Sequence, residues 1–139
     1  MSPTEATIWP MIAHVALIFC LYLLLSSRRM GAVREGRAQP DQFRENREEP
    51  AESLVVKNAI ANQFELPVLF YAVSILLYLV DADNTVTVAG GWLFVALRYV
   101  HAYVHVTSNR LRYRRPLFIA GLLVVMLLWI WLGVWLAMT

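Results

Sequence analysis

The chain has 139 residues, of which 59% are hydrophobic and 16% are charged, and its formal net charge is +2. A soluble domain is about half apolar and about a quarter charged, so this composition predicts an all-α integral membrane protein. The basic residues are better explained by membrane topology and lipid head groups than by a nucleic-acid surface. We therefore expect no nucleic-acid partner.

Four apolar stretches are each near the ~20 residues that a helix needs to cross a membrane: residues 8–25, 54–80, 85–106 and 117–138. They predict a four-transmembrane-helix bundle, in which residues 1–139 form a single membrane domain. The single cysteine, Cys20, lies in the first stretch, and we interpret it as a packing residue.

The loop at residues 26–53 carries six positive and six negative side chains. We interpret it as a solvated connector, and a lid over a pocket is the alternative. Residues 41–53 predict a short surface helix interrupted at Pro50. Ser53 is expected to be the N-cap of the second membrane helix, because a serine hydroxyl can accept from the backbone at a helix start.

Positive charge marks one side of the predicted membrane domain. Of the 12 basic residues, 11 lie in residues 26–57 and 107–116, whereas the connection between the second and third stretches carries Asp81 and Asp83. Because basic loops stay in the cytoplasm, the loops at 26–53 and 107–116 are predicted to be cytoplasmic and both termini outside. A bacterial inner membrane is the simplest location.

Polar side chains form a stripe on each of the second and third membrane helices. Their spacing of three or four residues puts each set on one helical face: Asn58, Asn62 and Glu65 on one, and Arg98, His101, His105, Asn109 and Arg112 on the other. Charged groups in hydrocarbon cost about 2.5–3.5 kcal/mol each on insertion scales. The stripes are therefore predicted to face each other, or water, inside the bundle.

The helical rise places Glu65 and Arg98 at similar depths, which predicts an ion pair that neutralises both. Such a pair could serve a site or simply lock two helices together. Pro67 predicts a kink beside Glu65, because it removes the hydrogen bond to the Gln63 carbonyl; a harmless membrane-helix proline is the alternative. The three histidines are too few and too dispersed to predict a metal site.

A family resemblance rests on NAIANQFELPVLFYAVSILLYL at residues 58–79 and LRYVHAYVHVTSNRLRYRRP at residues 97–116. These segments resemble the second and third helices of the MAPEG family, the membrane-associated proteins in eicosanoid and glutathione metabolism. The matching elements are N-x-x-E at Asn62 and Glu65, R-x-x-H at Arg98 and His101, and the basic run at 110–115.

The resemblance implies a homotrimer that binds glutathione between subunits and acts as a membrane-embedded transferase or peroxidase on lipophilic substrates. It implies glutathione contacts at Asn62, Glu65 and Arg98, and an arginine that holds the thiolate among Arg112, Arg114 and Arg115. With Asn58 added from its stripe, the candidate cofactor-binding residues are Asn58, Asn62, Glu65, Arg98, Arg112 and Arg115. The candidate catalytic residues are His101, His105 and Arg114.

The sequence departs from the family pattern at three positions. Enzymatic members usually carry arginines where this chain has Asn58 and Ala61, and His105 stands where a tyrosine is common. The alternative function is therefore a non-catalytic lipid-binding protein, or an accessory subunit of a larger membrane complex. A proton or ion pathway built on Glu65, Arg98 and the histidines is a third hypothesis.

Overall fold

A computed structural model describes residues 3–139, and within that range the chain is helical and contains no strand. The prediction of an all-α protein is confirmed. The helices are α1 (Pro3–Ala6), α2 (Ile8–Arg34), α3 (Pro40–Arg44), α4 (Ala51–Gln63), α5 (Leu66–Leu79), α6 (Thr85–Val106) and α7 (Leu111–Met138).

Within residues 3–139, three segments are long and apolar enough to cross a membrane: α2, the α4–α5 range Ala51–Leu79, and α7. Several apolar helices of this length are typical of a multi-pass membrane protein. Helix α6 packs against α2, α4 and α7 but is less apolar, because Arg98, His101 and His105 lie along its buried face.

The helices extend beyond the apolar stretches at the arginine-rich end of the bundle. Helix α2 continues to Arg34 and α7 begins at Leu111, whereas the stretches reach only residue 25 and begin at residue 117. Hydropathy locates the apolar part of a helix and not its hydrogen-bonded end. The predicted stretches therefore do not include the polar turns at the end of α2 and the start of α7. We call this end, formed by the end of α2, the start of α4 and the turn at 107–110, the basic end.

The second apolar stretch is two helices, because the backbone leaves the helical conformation at Phe64 and Glu65. The Phe64 N–H donates to the Ala61 carbonyl at 3.0 Å and the Val68 N–H donates to the Glu65 carbonyl at 3.1 Å. Pro67 lies in the first turn of α5, where its missing N–H breaks no hydrogen bond within that helix.

Ser53 is not the N-cap that the sequence predicted. Helix α4 begins three residues earlier, with the extended Pro50 at its N-cap. The Ser53 side chain is buried and its hydroxyl donates to Glu49 Oε1 at 2.6 Å. The hydroxyl therefore forms a hydrogen bond within the loop at 26–53 and does not cap the start of α4.

Two arginines of α2 dock that loop at the basic end. Arg28 donates to the Glu52 carbonyl at 2.7 Å and to the Val106 carbonyl at 2.9 Å, which joins α2, α4 and the end of α6. Arg29 donates to both carboxylate oxygens of Glu49, at 2.8 and 2.7 Å. The connector is therefore tied to the bundle by its charged side chains.

The Glu49 carboxylate should make the stability of the protein depend on pH. The hydrogen bond from Arg29 is the main cause that lowers the pKa of Glu49 from its ordinary value of 4.5. Above pH 4.5 the carboxylate is ionised in both states and its stabilising contribution is full; it is lost as the pH falls through the lowered pKa of the folded protein. We therefore expect the protein in detergent to unfold at a lower temperature when the pH is below 4.5 than when it is above.

Arg29→Gln is the matched control, because it removes the partner that lowers this pKa. The part of the acid dependence that comes from Glu49 should be smaller in this variant, because Ser53 and Lys57 still lower the pKa of Glu49. An identical pH profile for the wild type and Arg29→Gln would contradict the assignment.

Candidate functional site

Arg98 lies in the middle of the bundle, with only 1% of its surface exposed. Its Nη2 donates to Asn62 Oδ1 at 2.6 Å and to the Asn62 carbonyl at 3.3 Å, and its Nε donates to Gln63 Oε1 at 3.2 Å. These acceptors lie at the C-terminus of α4, where unpaired carbonyl groups give the helix end a partial negative charge. The guanidinium is therefore held by uncharged oxygens at a helix end.

The predicted Glu65–Arg98 ion pair is wrong. Among residues 3–139 no ion pair within 4.0 Å joins the two side chains, and Glu65 is exposed. The prediction assumed one continuous helix through Glu65. The break at Phe64 and Glu65 removes that periodicity, and Glu65 lines a cleft beside Asn62 without an ion pair to Arg98.

Gln63 and His14 complete the buried polar network, and sequence reasoning missed both. Gln63 Oε1 lies 3.0 Å from His14 Nε2, and Gln63 Nε2 donates to the Ala59 carbonyl at 2.9 Å. Because Oε1 can only accept, His14 must carry its proton on Nε2. In the neutral ring Nδ1 then accepts from the Tyr71 hydroxyl, which lies 2.6 Å away.

This network of Tyr71, His14, Gln63, Arg98 and Asn62 joins α2, α4, α5 and α6. A signal for it was present in the sequence, because His14 and Gln63 are polar residues inside apolar stretches and such residues need partners in a bundle. The network fixes the position of Asn62, which is only partly buried.

A cleft of about 240 Å³ opens beside Asn62 towards the basic end. It lies between the α4–α5 break, α6 and the first turns of α7. The residues that line it are Asn62, Glu65, His101, Leu111, Arg114, Arg115 and Phe118. The structure thus brings together an amide, a carboxylate, a histidine and two guanidinium groups, all of which the sequence had singled out.

His101 and His105 are adjacent on α6 and almost fully buried, at 2% and 4% exposure. Their rings are 5.9 Å apart and nearly perpendicular. The Nδ1 atom of each has no hydrogen-bond partner within the described part of the chain. Because His101 lines the cleft and His105 does not, His101 can contact a bound molecule directly.

The turn between α6 and α7 aims Arg114 at the cleft. Asn109 adopts a φ of 51°, a left-handed conformation that asparagine tolerates better than most residues, and its N–H donates to the Val104 carbonyl at 2.7 Å. Its side-chain oxygen accepts from Arg114 Nη1 at 2.6 Å. Arg114 lines the cleft, and its Nε is buried without a hydrogen-bond partner in residues 3–139.

Four predicted site residues do not line the cleft: Asn58, Arg98, His105 and Arg112. Asn58 is exposed and lies one turn before Asn62, about 6 Å nearer the start of α4. Arg112 lines a separate groove on α7, because two residues correspond to about 200° of rotation from Arg114. Within residues 3–139 no group of three or more histidine, cysteine or acidic side chains could hold a metal ion.

A comparison with protein-family models matches residues 7–134 to the MAPEG family, which is nearly the whole chain. The chain belongs to the MAPEG family. No curated protein and no solved structure gives a match. In this MAPEG chain both positions that depart from the arginine pattern, Asn58 and Ala61, are exposed on α4.

Gln63→Leu should destabilise the protein by about 3 kcal/mol or more, because it leaves the Arg98 Nε and the His14 ring buried without their acceptor. Unfolding of the detergent-solubilised protein measures the change. Asn58→Leu is the control, an exposed amide on the same helix, and should change stability by only about 0.5 kcal/mol. Equal effects of the two substitutions would contradict the network.

Proposed function

We propose that this protein binds glutathione in the cleft and uses its thiol in a transferase or peroxidase reaction on lipophilic molecules. Family membership supports a glutathione-related activity. The observation that carries the proposal is the set of side chains at the cleft. Arg114 and Arg115 suit the carboxylates of the tripeptide, and Glu65 suits its ammonium group.

The same residues offer a way to activate a thiol. The Arg114 guanidinium supplies positive charge that favours a thiolate over a thiol. His101 lines the cleft, and its neutral imidazole is a suitable base for the thiol proton. His105 packs edge-on against His101 and acts by holding that ring in place.

The cleft of one chain is part of a larger site. Its volume of about 240 Å³ is below the roughly 300–1,000 Å³ of small-molecule pockets. We propose that neighbouring subunits of a homotrimer complete it. In this arrangement α6 also crosses the membrane, which brings the number of crossings to four. The basic end faces the cytoplasm, where glutathione is present. Both termini lie on the other side of a bacterial inner membrane.

A non-catalytic lipid-binding protein, or an accessory subunit of a larger membrane complex, is the second candidate. The amide and methyl side chains at Asn58 and Ala61 favour it, since neither replaces a guanidinium group. An apolar groove of about 300 Å³ between α6 and α7, far from the basic end, supports lipid binding.

Arg114→Gln should weaken glutathione binding about tenfold or more, because a hydrogen bond to a charged group contributes about 1.5–3 kcal/mol and 1.4 kcal/mol corresponds to a factor of ten. Titration calorimetry of the detergent-solubilised protein with glutathione measures the affinity. Arg44→Gln is the control, because Arg44 is exposed on α3, and it should bind as the wild type does.

An absence of wild-type binding at millimolar glutathione would overturn the proposal. Lipid that co-purifies with such a protein would favour the non-catalytic alternative. Equal losses in Arg114→Gln and Arg44→Gln would indicate a non-specific effect of charge and would contradict the assignment of the cleft.

A further inference from the structure

A groove of about 350 Å³ lies at the basic end, between the last turns of α2 and the short helix α3. The residues that line it are Arg29, Met30, Val33, Arg34, Pro40 and Phe43. None of these residues lines the cleft beside Asn62. The groove is therefore a separate surface, and its properties do not depend on glutathione binding.

A tight helix end brings α3 back beside α2. Gly36 follows α2 with a φ of 72°, a left-handed conformation that glycine adopts without a steric penalty. The Gly36 N–H donates to the Val33 carbonyl at 3.1 Å, and the Arg37 N–H donates to the Ala32 carbonyl at 2.9 Å. These two hydrogen bonds form the Schellman arrangement that ends many helices. The backbone therefore fixes the shape of the groove.

The Arg34 guanidinium gives the groove a positive charge. Arg34 is exposed and takes part in no ion pair within 4.0 Å among residues 3–139. The acidic side chains that adjoin the lining residues in sequence or by contact each pair with another arginine: Glu35 with Arg37, Asp41 with Arg44 and Glu49 with Arg29. An anion from outside the chain can therefore neutralise Arg34.

Phe43 and Met30 give the same groove an apolar wall. The Phe43 ring centre lies 5.0 Å from the guanidinium carbon of Arg29, and Met30 is 51% exposed. Glu49 accepts from Nε and Nη2 of Arg29, so the third nitrogen, Nη1, donates to neither of its oxygens. The groove thus combines guanidinium groups with exposed apolar surface, which suits an amphipathic ligand.

The groove lies at the level of the lipid head groups. Leu23, Met30 and Arg34 are separated by seven and four residues and so share one face of α2, and Leu23 is 73% exposed in the apolar stretch. Met30 lies five residues beyond residue 25, about 7 Å by helical rise, and the head-group region is about 5–8 Å thick. Side chains tilt towards the N-terminus of a helix, so Arg34 can reach back to this level.

We propose that this groove binds the phosphate of an anionic phospholipid and so anchors the connector at residues 26–53 to the membrane surface. Arg34 supplies the unpaired positive charge, and Phe43 and Met30 contact the glycerol and the upper part of the acyl chains. Lipid is favoured over a second copy of the chain because the groove lies where head groups surround α2.

The test measures lipid retained by the purified full chain in detergent, by native mass spectrometry. Phosphatidylglycerol and phosphatidylcholine with the same acyl chains are added in equal amounts. Retention of phosphatidylglycerol should exceed that of phosphatidylcholine about fivefold or more, the factor that one arginine near a membrane surface contributes.

Arg34→Gln should reduce this preference about fivefold, because that contribution is lost. Arg47→Gln is the matched control, because Arg47 is an exposed arginine of the same connector that does not line the groove. It removes the same charge and should keep the preference of the wild type. Unfolding midpoints verify that both variants fold.

Phe43→Ala tests the groove without changing any charge. It should reduce retention of both lipids about threefold, because the loss of roughly 30 Å² of apolar contact at about 25 cal/mol per Å² corresponds to such a factor. Attraction to the overall positive charge of the basic end would leave both lipids unaffected by this substitution.

Five results would overturn the proposal. Equal retention of the two lipids by the wild type is one, and a loss of preference in Arg47→Gln as large as in Arg34→Gln is another. Unchanged retention in Phe43→Ala would exclude the groove. Complete displacement of phosphatidylglycerol by millimolar inorganic phosphate would indicate a site for free phosphate. A changed oligomeric state in Arg34→Gln, with lipid retention unchanged, would assign the groove to a second copy.

Discussion

The buried guanidinium of Arg98 is the constraint on which the rest of this bundle depends. A charge that is removed from water must be hydrogen-bonded or paired, because burial without partners is costly. This protein supplies the oxygens of Asn62 and Gln63, which lie at the end of α4. The break between α4 and α5 is what makes this helix end, and its partial negative charge, available inside the bundle.

Arg98 is hydrogen-bonded by uncharged oxygens, and the Glu65 carboxylate takes part in no ion pair within 4.0 Å among residues 3–139. It lines the cleft with Arg114 and Arg115, where it can recognise a cationic group. Asn62 belongs both to the network around Arg98 and to the cleft. Asn62 therefore contributes both to the stability of the bundle and to the lining of the cleft, and a substitution at Asn62 would affect both.

The residue types predicted the fold class and much of the site composition. Stripes of polar residues placed Asn62, Glu65 and His101 on facing helices, and the structure brings these three together. This succeeded because the cost of polar groups in hydrocarbon limits where they can lie.

The failed ion pair has one physical cause, which is that periodicity assumes an unbroken helix. The Glu65–Arg98 pair is absent because the backbone leaves the helical conformation at Phe64 and Glu65, and neither residue type predicts a helix break. The predicted role of Gln63 was limited to its backbone carbonyl, four residues before Pro67. Its side-chain amide instead lies at the centre of the network. The family resemblance left Arg112, Arg114 and Arg115 as alternatives for one role, although about 200° of helix separates Arg112 from Arg114.

Two double-mutant cycles test most directly whether amides, and not Glu65, hold Arg98. One combines Asn62→Ala with Arg98→Met and the other combines Glu65→Gln with Arg98→Met, and the free energy of unfolding is measured for each. We expect a coupling energy of about 1.5–3 kcal/mol for Asn62 and Arg98 and a smaller value for Glu65 and Arg98. A large coupling for Glu65 together with none for Asn62 would contradict this account.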